Sequence, residues 1–388
     1  MKLDVLKPLL DHDGPLTTVC LDVTRADEAG DREVRSRWGG LRRALEQQGT
    51  PAATLDLIAD VVLKPTHVPG PHGRFVVASA EGVLFDRVLA DAPSREEAFH
   101  DGAPSLMPAA QAADEAVRYL LVEVDRSGAD LSWSGIEMDD GGGQVEGTHV
   151  EGGHDVLHKS RAGGWSARRL QTRAEDSWDR NAEVVATELT RAVALHKPEL
   201  VMITGDVRAV ALIREALSRP VAELLVDVPG GARAEGVKES VFAANVHAVL
   251  EAHRATRRQL VVDRLSEGLG RGDGAVTELG DVVDVLRRGQ VAELVIVEDA
   301  AGAPAVLADR TLWVGAGPLD LAVRRSELAT LGVADADAHQ QRADIALLRA
   351  AVAQDAGVTF APESAVELVD GVGAVLRWSD PATPHETA

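Results

Sequence analysis

The spacing of apolar positions changes several times along the 388-residue chain, and each change marks an element. The β-branched run Thr17-Thr18-Val19-Cys20-Leu21-Asp22-Val23 predicts a strand. Val34, Trp38, Leu41 and Leu45 then recur every three or four residues and predict a helix. A second helix is predicted over 52–62 from Leu55, Ile58 and Val62, with Gly49-Thr50-Pro51 between the two. A Pro- and Gly-rich loop from Lys64 to Gly73 leads to a predicted strand at Arg74 to Ser79, completing one small α/β unit. Residues 91–116, rich in Ala, Pro and charge, read as a linker or linking helix.

The pattern then restarts. Tyr119 to Val124, the turn Asp125-Arg126-Ser127-Gly128 and the alternation from Ala129 to Ser134 predict a hairpin, and the glycines up to Gly153 predict loops and short edge strands. The longest periodic signal follows, through Ala167, Leu170, Ala174, Trp178, Ala182, Val185, Leu189 and Val193. It predicts one helix of about 30 residues, with Ser166 as N-cap and Pro198 beyond its end. Leu200 to Thr204, a helix near Val207 to Leu217 and Ala222 to Val226 form a strand-helix-strand run that implies a parallel pair. Residues 240–265 read as a helix into a last α/β unit. Its expected parts are a helix at Thr277 to Arg288, strands at Glu293 to Val297, Leu312 to Val314, Val358 to Phe360 and Ala374 to Trp378, and a helix near Ala343 to Ala356. The expected fold class is therefore α/β, in three α/β domains spanning 1–114, 115–252 and 253–388.

Composition narrows the function. Cys20 is the only cysteine and sits in an apolar run, so neither a disulfide framework nor a multi-cysteine metal site fits within one chain. No stretch resembles a signal peptide or membrane span, and the expectation is a cytoplasmic protein without membrane or DNA partners. A net charge of −22 opposes general nucleic-acid binding, because phosphate neutralisation dominates such binding; any RNA contact must be local. One locally basic run stands out: Lys159, Arg161, Arg168, Arg169 and Arg173 lie between His158 and Arg173 with no carboxylate among them.

Residues 158–170, with Gly163-Gly164-Trp165 followed by Arg168 and Arg169, resemble the class-1 release factors of archaea and eukaryotes and the related Pelota proteins, in which a basic Gly-Gly-Gln loop precedes a long arginine-bearing helix. The upstream hairpin and the downstream helix agree. So do the strands ending at Thr204-Gly205 and Val226-Asp227, the helix-glycine-strand run from Thr277 to Val297, and the ending from Gly371 to Trp378. This resemblance implies a tRNA-like arrangement of three domains, with the first on the decoding-centre side and the third like the family's last domain. Where the family carries glutamine this chain has Trp165, whose indole offers one N–H donor and no acceptor, so peptide-release chemistry and enzymatic activity are not expected. The stop-codon-reading motif is also absent, and Gln47-Gln48-Gly49-Thr50-Pro51 occupies its region. Relatives lacking the glutamine include Balon-like hibernation factors, and this chain looks like their actinobacterial branch. That implies occupation of the A site of idle or stalled ribosomes during stress, contact with large- and small-subunit rRNA, elongation factor Tu as a candidate partner, and no cofactor. The expected RNA-contacting residues are Lys159, Arg161, Gly163, Gly164, Trp165, Arg168, Arg169 and Arg173. Glycines would let the backbone approach RNA, arginines would pair with phosphates and Trp165 would stack on an exposed base; the competing view packs Trp165 on its own domain and solvates the arginines.

Two other functions are weighed. Peptidyl-tRNA hydrolysis would need a substitute for the missing glutamine, and Gln171, about one turn into the helix, is displaced from the loop tip. A metal-dependent RNase would use Asp125, Asp206 and Asp227, which follow three predicted strands, although turn and cap roles are the commoner use of such residues. The pairs His154 with His158 and His67 with His72 lack further ligands, and Thr204-Gly205-Asp206 lacks a nucleotide fingerprint.

Overall fold

The computed structural model describes residues 3–12, 14–25, 28–68, 70–125, 127–134, 145–151, 165–232, 239–299 and 302–384, of which 28, 29, 134, 145–151, 165–177, 239 and 305 are described by backbone alone. The described chain is mixed α/β with four sheets, and its contacts divide it into two compact units. Met1–Ala116 and Thr256–Ala388 form the first; the second is drawn from residues between Val117 and Ala255.

After a short 3-10 helix (Asp4–Leu9), β1 (Leu16–Asp22) leads into α1 (Glu28–Gln47) and α2 (Ala52–Val62). Then come β2 (Gly73–Ala78), β3 (Val83–Leu89), β4 (Glu97–Asp101) and α3 (Met107–Glu115). The strands form an antiparallel sheet in the order β3-β2-β1-β4. Val34, Trp38 and Leu45 of α1 join Leu55, Ile58 and Val62 of α2 on one face of it, as their spacing requires. Within the stretch expected as a linker or linking helix, Glu97–Asp101 form the edge strand β4, and the helix α3 is buried through Met107, Ala109, Ala110 and Ala113. Alanine-rich composition reads as exposed, yet small side chains also let a helix pack closely, and here they do.

The second unit opens with β5 (Tyr119–Val124), β6 (Gly128–Ser134) and β7 (Val145–Glu151), followed by the 32-residue α4 (Trp165–His196). Next are β8 (Leu200–Gly205), α5 (Val207–Ala216), the one-turn α6 (Arg219–Ala222) and β9 (Leu225–Asp227). The sheet order is β7-β6-β5-β8-β9; β5 to β7 are antiparallel neighbours, and β5, β8 and β9 run parallel. The last strand is shorter than its apolar run suggests, because Arg219 to Ala222 take a helical turn with Pro220 near its start. Ala182, Val185, Ala186 and Leu189 seat the C-terminal half of α4 on the sheet core with Ile203 and Ile213.

The 33-residue α7 (Glu239–Arg271) carries the chain back to the first unit. There follow β10 (Ala275–Thr277), α8 (Leu279–Arg287), β11 (Val291–Glu298) and α9 (Ala305–Ala308). β12 (Thr311–Val314), β13 (Leu321–Ala322), α10 (Arg325–Thr330) and β14 (His339–Arg342) come next. The chain ends with α11 (Ala343–Ala353), β15 (Gly357–Pro362) and β16 (Val372–Leu376). One sheet runs β10-β16-β11-β15 and a smaller one β13-β12-β14. Both ends of the chain contribute to a single core: Leu6, Leu16, Phe75 and Leu106 share one buried cluster with Val283, Leu294, Leu347 and Phe360. Polar ties reinforce it. The Phe360 amide donates to Asp114 (3.2 Å), and Gln111 donates to Glu298 and to the Gly302 carbonyl (2.7 Å).

Candidate nucleic-acid interface

Of the residues expected to touch RNA, Lys159, Arg161, Gly163 and Gly164 lie outside the described residues, as do His154 and His158. The backbone places Trp165, Arg168, Arg169 and Arg173 in the first three turns of α4, with Gln171 in the same stretch. At about 1.5 Å per residue this helix is about 48 Å long. Among the described residues, those of α4 in the apolar core are Ala182, Val185, Ala186 and Leu189 in its C-terminal half, while the basic cluster stands in its first turns.

The loops after the parallel strands are built for close packing. Gly205 has φ +128°, and a Cβ there would lie 1.9 Å from the Val124 carbonyl oxygen, so no larger residue fits the β5–β8 register. The Thr204 hydroxyl accepts from the Gly231 amide (3.1 Å), while a Cβ on Gly231 would lie 2.6 Å from Phe242 and Thr204. Each strand-end carboxylate has a protein partner. Asp125 accepts from the amides of Ser127 (2.7 Å) and Gly128 (3.0 Å), holding the hairpin turn, and Asp206 caps α5 through the amides of Arg208 and Ala209. Asp227 takes a two-pronged bond from Arg214, both contacts at 2.9 Å. Trp178 and Asn181 of α4 meet Arg208 and Ala209 of α5 beside Asp125 around a small pocket. Among the described residues, no group of three or more His, Cys, Asp or Glu is arranged to hold a metal ion.

In the first unit, the turn standing where a codon-reading motif would be expected is drawn against the sheet. Gly49 (φ +88°) ends α1, the Thr50 amide donates to the Leu45 carbonyl, and the Gln48 carboxamide spans the outer edge of β4. It donates to the Ala98 carbonyl (3.0 Å) and accepts from the His100 amide (2.8 Å), which are edge groups that no neighbouring strand satisfies. His72 is buried between the Gly70 carbonyl and the Thr66 hydroxyl, a structural role that composition alone does not signal. Cys20 is fully buried, and burial raises its thiol far above the ordinary range, keeping it protonated. Among the described residues no helix is long and apolar enough to cross a membrane.

Residues 118–271 match the family described as bacterial archaeo-eukaryotic release factor family 2. Two uncharacterized proteins from strains of Mycobacterium tuberculosis, MT2704 of CDC 1551 / Oshkosh and Rv2629 of ATCC 25618 / H37Rv, are each 25% identical over 381 residues, covering 98% of this chain and 97% of the relative. Among solved structures, the archaeal translation termination factor aRF1 is 16% identical, with 96% of each chain covered and a TM-score of 0.24. Dom34 of S. cerevisiae, a translation termination-like factor, is 9% identical, with 81% of each chain covered and a TM-score of 0.39.

Proposed function

We propose that this bacterial archaeo-eukaryotic release-factor-like chain, matched to family 2 over residues 118–271, is a ribosome-binding factor that occupies the A site of idle or stalled ribosomes without releasing peptide. The observation that carries this reading is a tryptophan in the place of the family's glutamine, at the head of a 32-residue helix whose first turns hold Arg168, Arg169 and Arg173. An indole cannot both donate and accept toward an attacking water, so the arm keeps a shape and a charge while losing the group that release requires. Lys159, Arg161, Arg168, Arg169 and Arg173 then pair with rRNA phosphates, Gly163 and Gly164 admit the backbone and Trp165 stacks on a base. In this reading 1–114, 115–252 and 253–388 act as the three functional segments, and elongation factor Tu is the candidate delivery partner.

The test is co-sedimentation of the full chain with purified ribosomes at several salt concentrations, with and without A-site tRNA. Arg168→Glu with Arg169→Glu is expected to abolish pelleting, and A-site tRNA is expected to compete; unchanged pelleting of the double variant sinks the reading. Trp165→Gln assayed on peptidyl-tRNA separates it from the hydrolase alternative. A nuclease is less well supported, because Asp125, Asp206 and Asp227 are each engaged in a turn, a cap or an ion pair.

A further inference from the structure

α1 is a locally positive element in a chain of net charge −22, and its outward face is where that charge is unspent. Its acids with described side chains are all taken: Asp31 by Arg35 (2.9 Å) and Arg25 (3.3 Å), Glu33 by Arg37 (3.5 Å), and Glu46 by Arg42 (3.2 Å). Arg32 and Arg43 are exposed and have no ion-pair or hydrogen-bond partner among the described residues. They stand eleven positions apart, about three turns, and therefore project from the same side of the helix, opposite buried Val34, Trp38 and Leu45.

Between them lie Gly39 and Gly40. Both have helical backbone, and a Cβ at either would meet nothing within 4 Å. Internal packing thus gives no reason for glycine, and in a helix interior glycine is the poorest former apart from proline. What the pair leaves is bare helix backbone beside two free guanidiniums, a surface that something can approach closely.

We propose that this face of α1 docks the phosphodiester backbone of RNA, with Arg32 and Arg43 each neutralising a phosphate and Gly39-Gly40 admitting the strand between them. The occupant follows from charge: unpaired guanidiniums suit phosphate pairing, and a net charge of −22 disfavours a polyanion away from such locally basic elements. The surface is separate from the arm at the head of α4, but the inference rests on the reading that the chain meets RNA at all.

The experiment measures binding of the full chain to a fluorescein-labelled RNA duplex of about 20 base pairs across a salt series, the length being set by a footprint of about 16 base pairs for a duplex-binding module. Purified ribosomes are titrated in parallel. Arg32→Gln with Arg43→Gln is expected to flatten the slope of log affinity against log salt by about two and to weaken low-salt binding about fivefold or more. Gly39→Ala with Gly40→Ala is expected to raise the melting temperature, as a better helix should, while weakening RNA binding. An unchanged slope in the arginine variant overturns the proposal, as does a glycine variant that is stabilised yet binds RNA like the parent. Equal competition by polyglutamate overturns it in favour of an acidic protein partner. The arm variant Arg168→Glu with Arg169→Glu, run alongside, separates the two ideas. Loss only there sinks the α1 face, loss only in the arginine variant of α1 sinks the arm, and a parent chain that binds neither probe sinks both.

Discussion

The first unit buries charge, whereas the second keeps its described charges near the surface. In the first, Arg74 grips Asp86 with two 2.7 Å bonds, Arg342 pairs with the fully buried Asp344, and Asp114, Glu97 and Glu298 are pushed upward in pKa by burial. In the second, Arg214–Asp227, Arg219–Glu223 and Arg191–Glu188 are exposed pairs of the kind that contributes little, and stability rests on the apolar sheet core and on glycines at close approaches. The difference teaches that the two units answer to different perturbations. Where a core is assembled from chain segments far apart in sequence, polar ties specify which surfaces meet; where a sheet and one long helix pack locally, apolar periodicity suffices.

The largest expected effect comes from the shared core. Leu347→Ala, at a fully buried position, should destabilise the first unit by about 2–5 kcal/mol. Hydrogen exchange should show β1 and β11 losing protection together while β5 and β8 keep theirs; independent opening of β1 would break the comparison. Next, Gly205→Ala drives a methyl into the Val124 carbonyl and should cost about 3 kcal/mol, read as loss of protection confined to β5, β8 and β9. Arg342→Ala leaves the Asp344 carboxylate buried without its ion-pair partner and should cost about 2 kcal/mol after discounting the partly exposed guanidinium; denaturant melts with Arg342→Ala/Asp344→Ala as the control check whether the stranded charge is the cause.

The smallest effect is a pH dependence. Burial, with Glu115 and Asp114 nearby, raises Glu298 from its ordinary 4.5 to about 7, despite the hydrogen bond from Gln111 and the charge of Arg258, which act the other way. The folded state therefore binds this proton more tightly than the unfolded chain does. Its contribution favours folding at low pH and is lost as pH rises from about 4.5 through about 7. The melting temperature of the first unit should rise by a few degrees between pH 8 and pH 6, and Glu298→Gln should flatten that slope; an identical slope in the variant refutes the assignment.

Much of the local structure is legible from the residues. The spacing of Leu55, Ile58 and Val62 places α2, that of Val34, Trp38, Leu41 and Leu45 places α1, and the run ending at Val193 places α4. The hairpin of β5 and β6 is equally plain, since Asp125 to Gly128 carry turn chemistry. Short strands such as β3, β10 and β13 are not legible, because two to seven residues give too little periodicity and are defined by the neighbours that pair with them. The strand-end aspartates could be named as a set from sequence, but their separate engagement as turn, cap and ion pair could not.

From the order of residues alone come the alternation of elements, the net charge of −22, and the basic cluster with Trp165 at the head of α4. Only the tertiary structure decided that residues 1–116 and 256–388 build one core, that Gln48 seals the edge of β4, and that Arg32 and Arg43 are left over when every described acid of α1 has found another partner. The reason is physical. Periodicity and composition are properties of neighbours along the chain, whereas pairing of charges and sharing of a core are settled by distance in space.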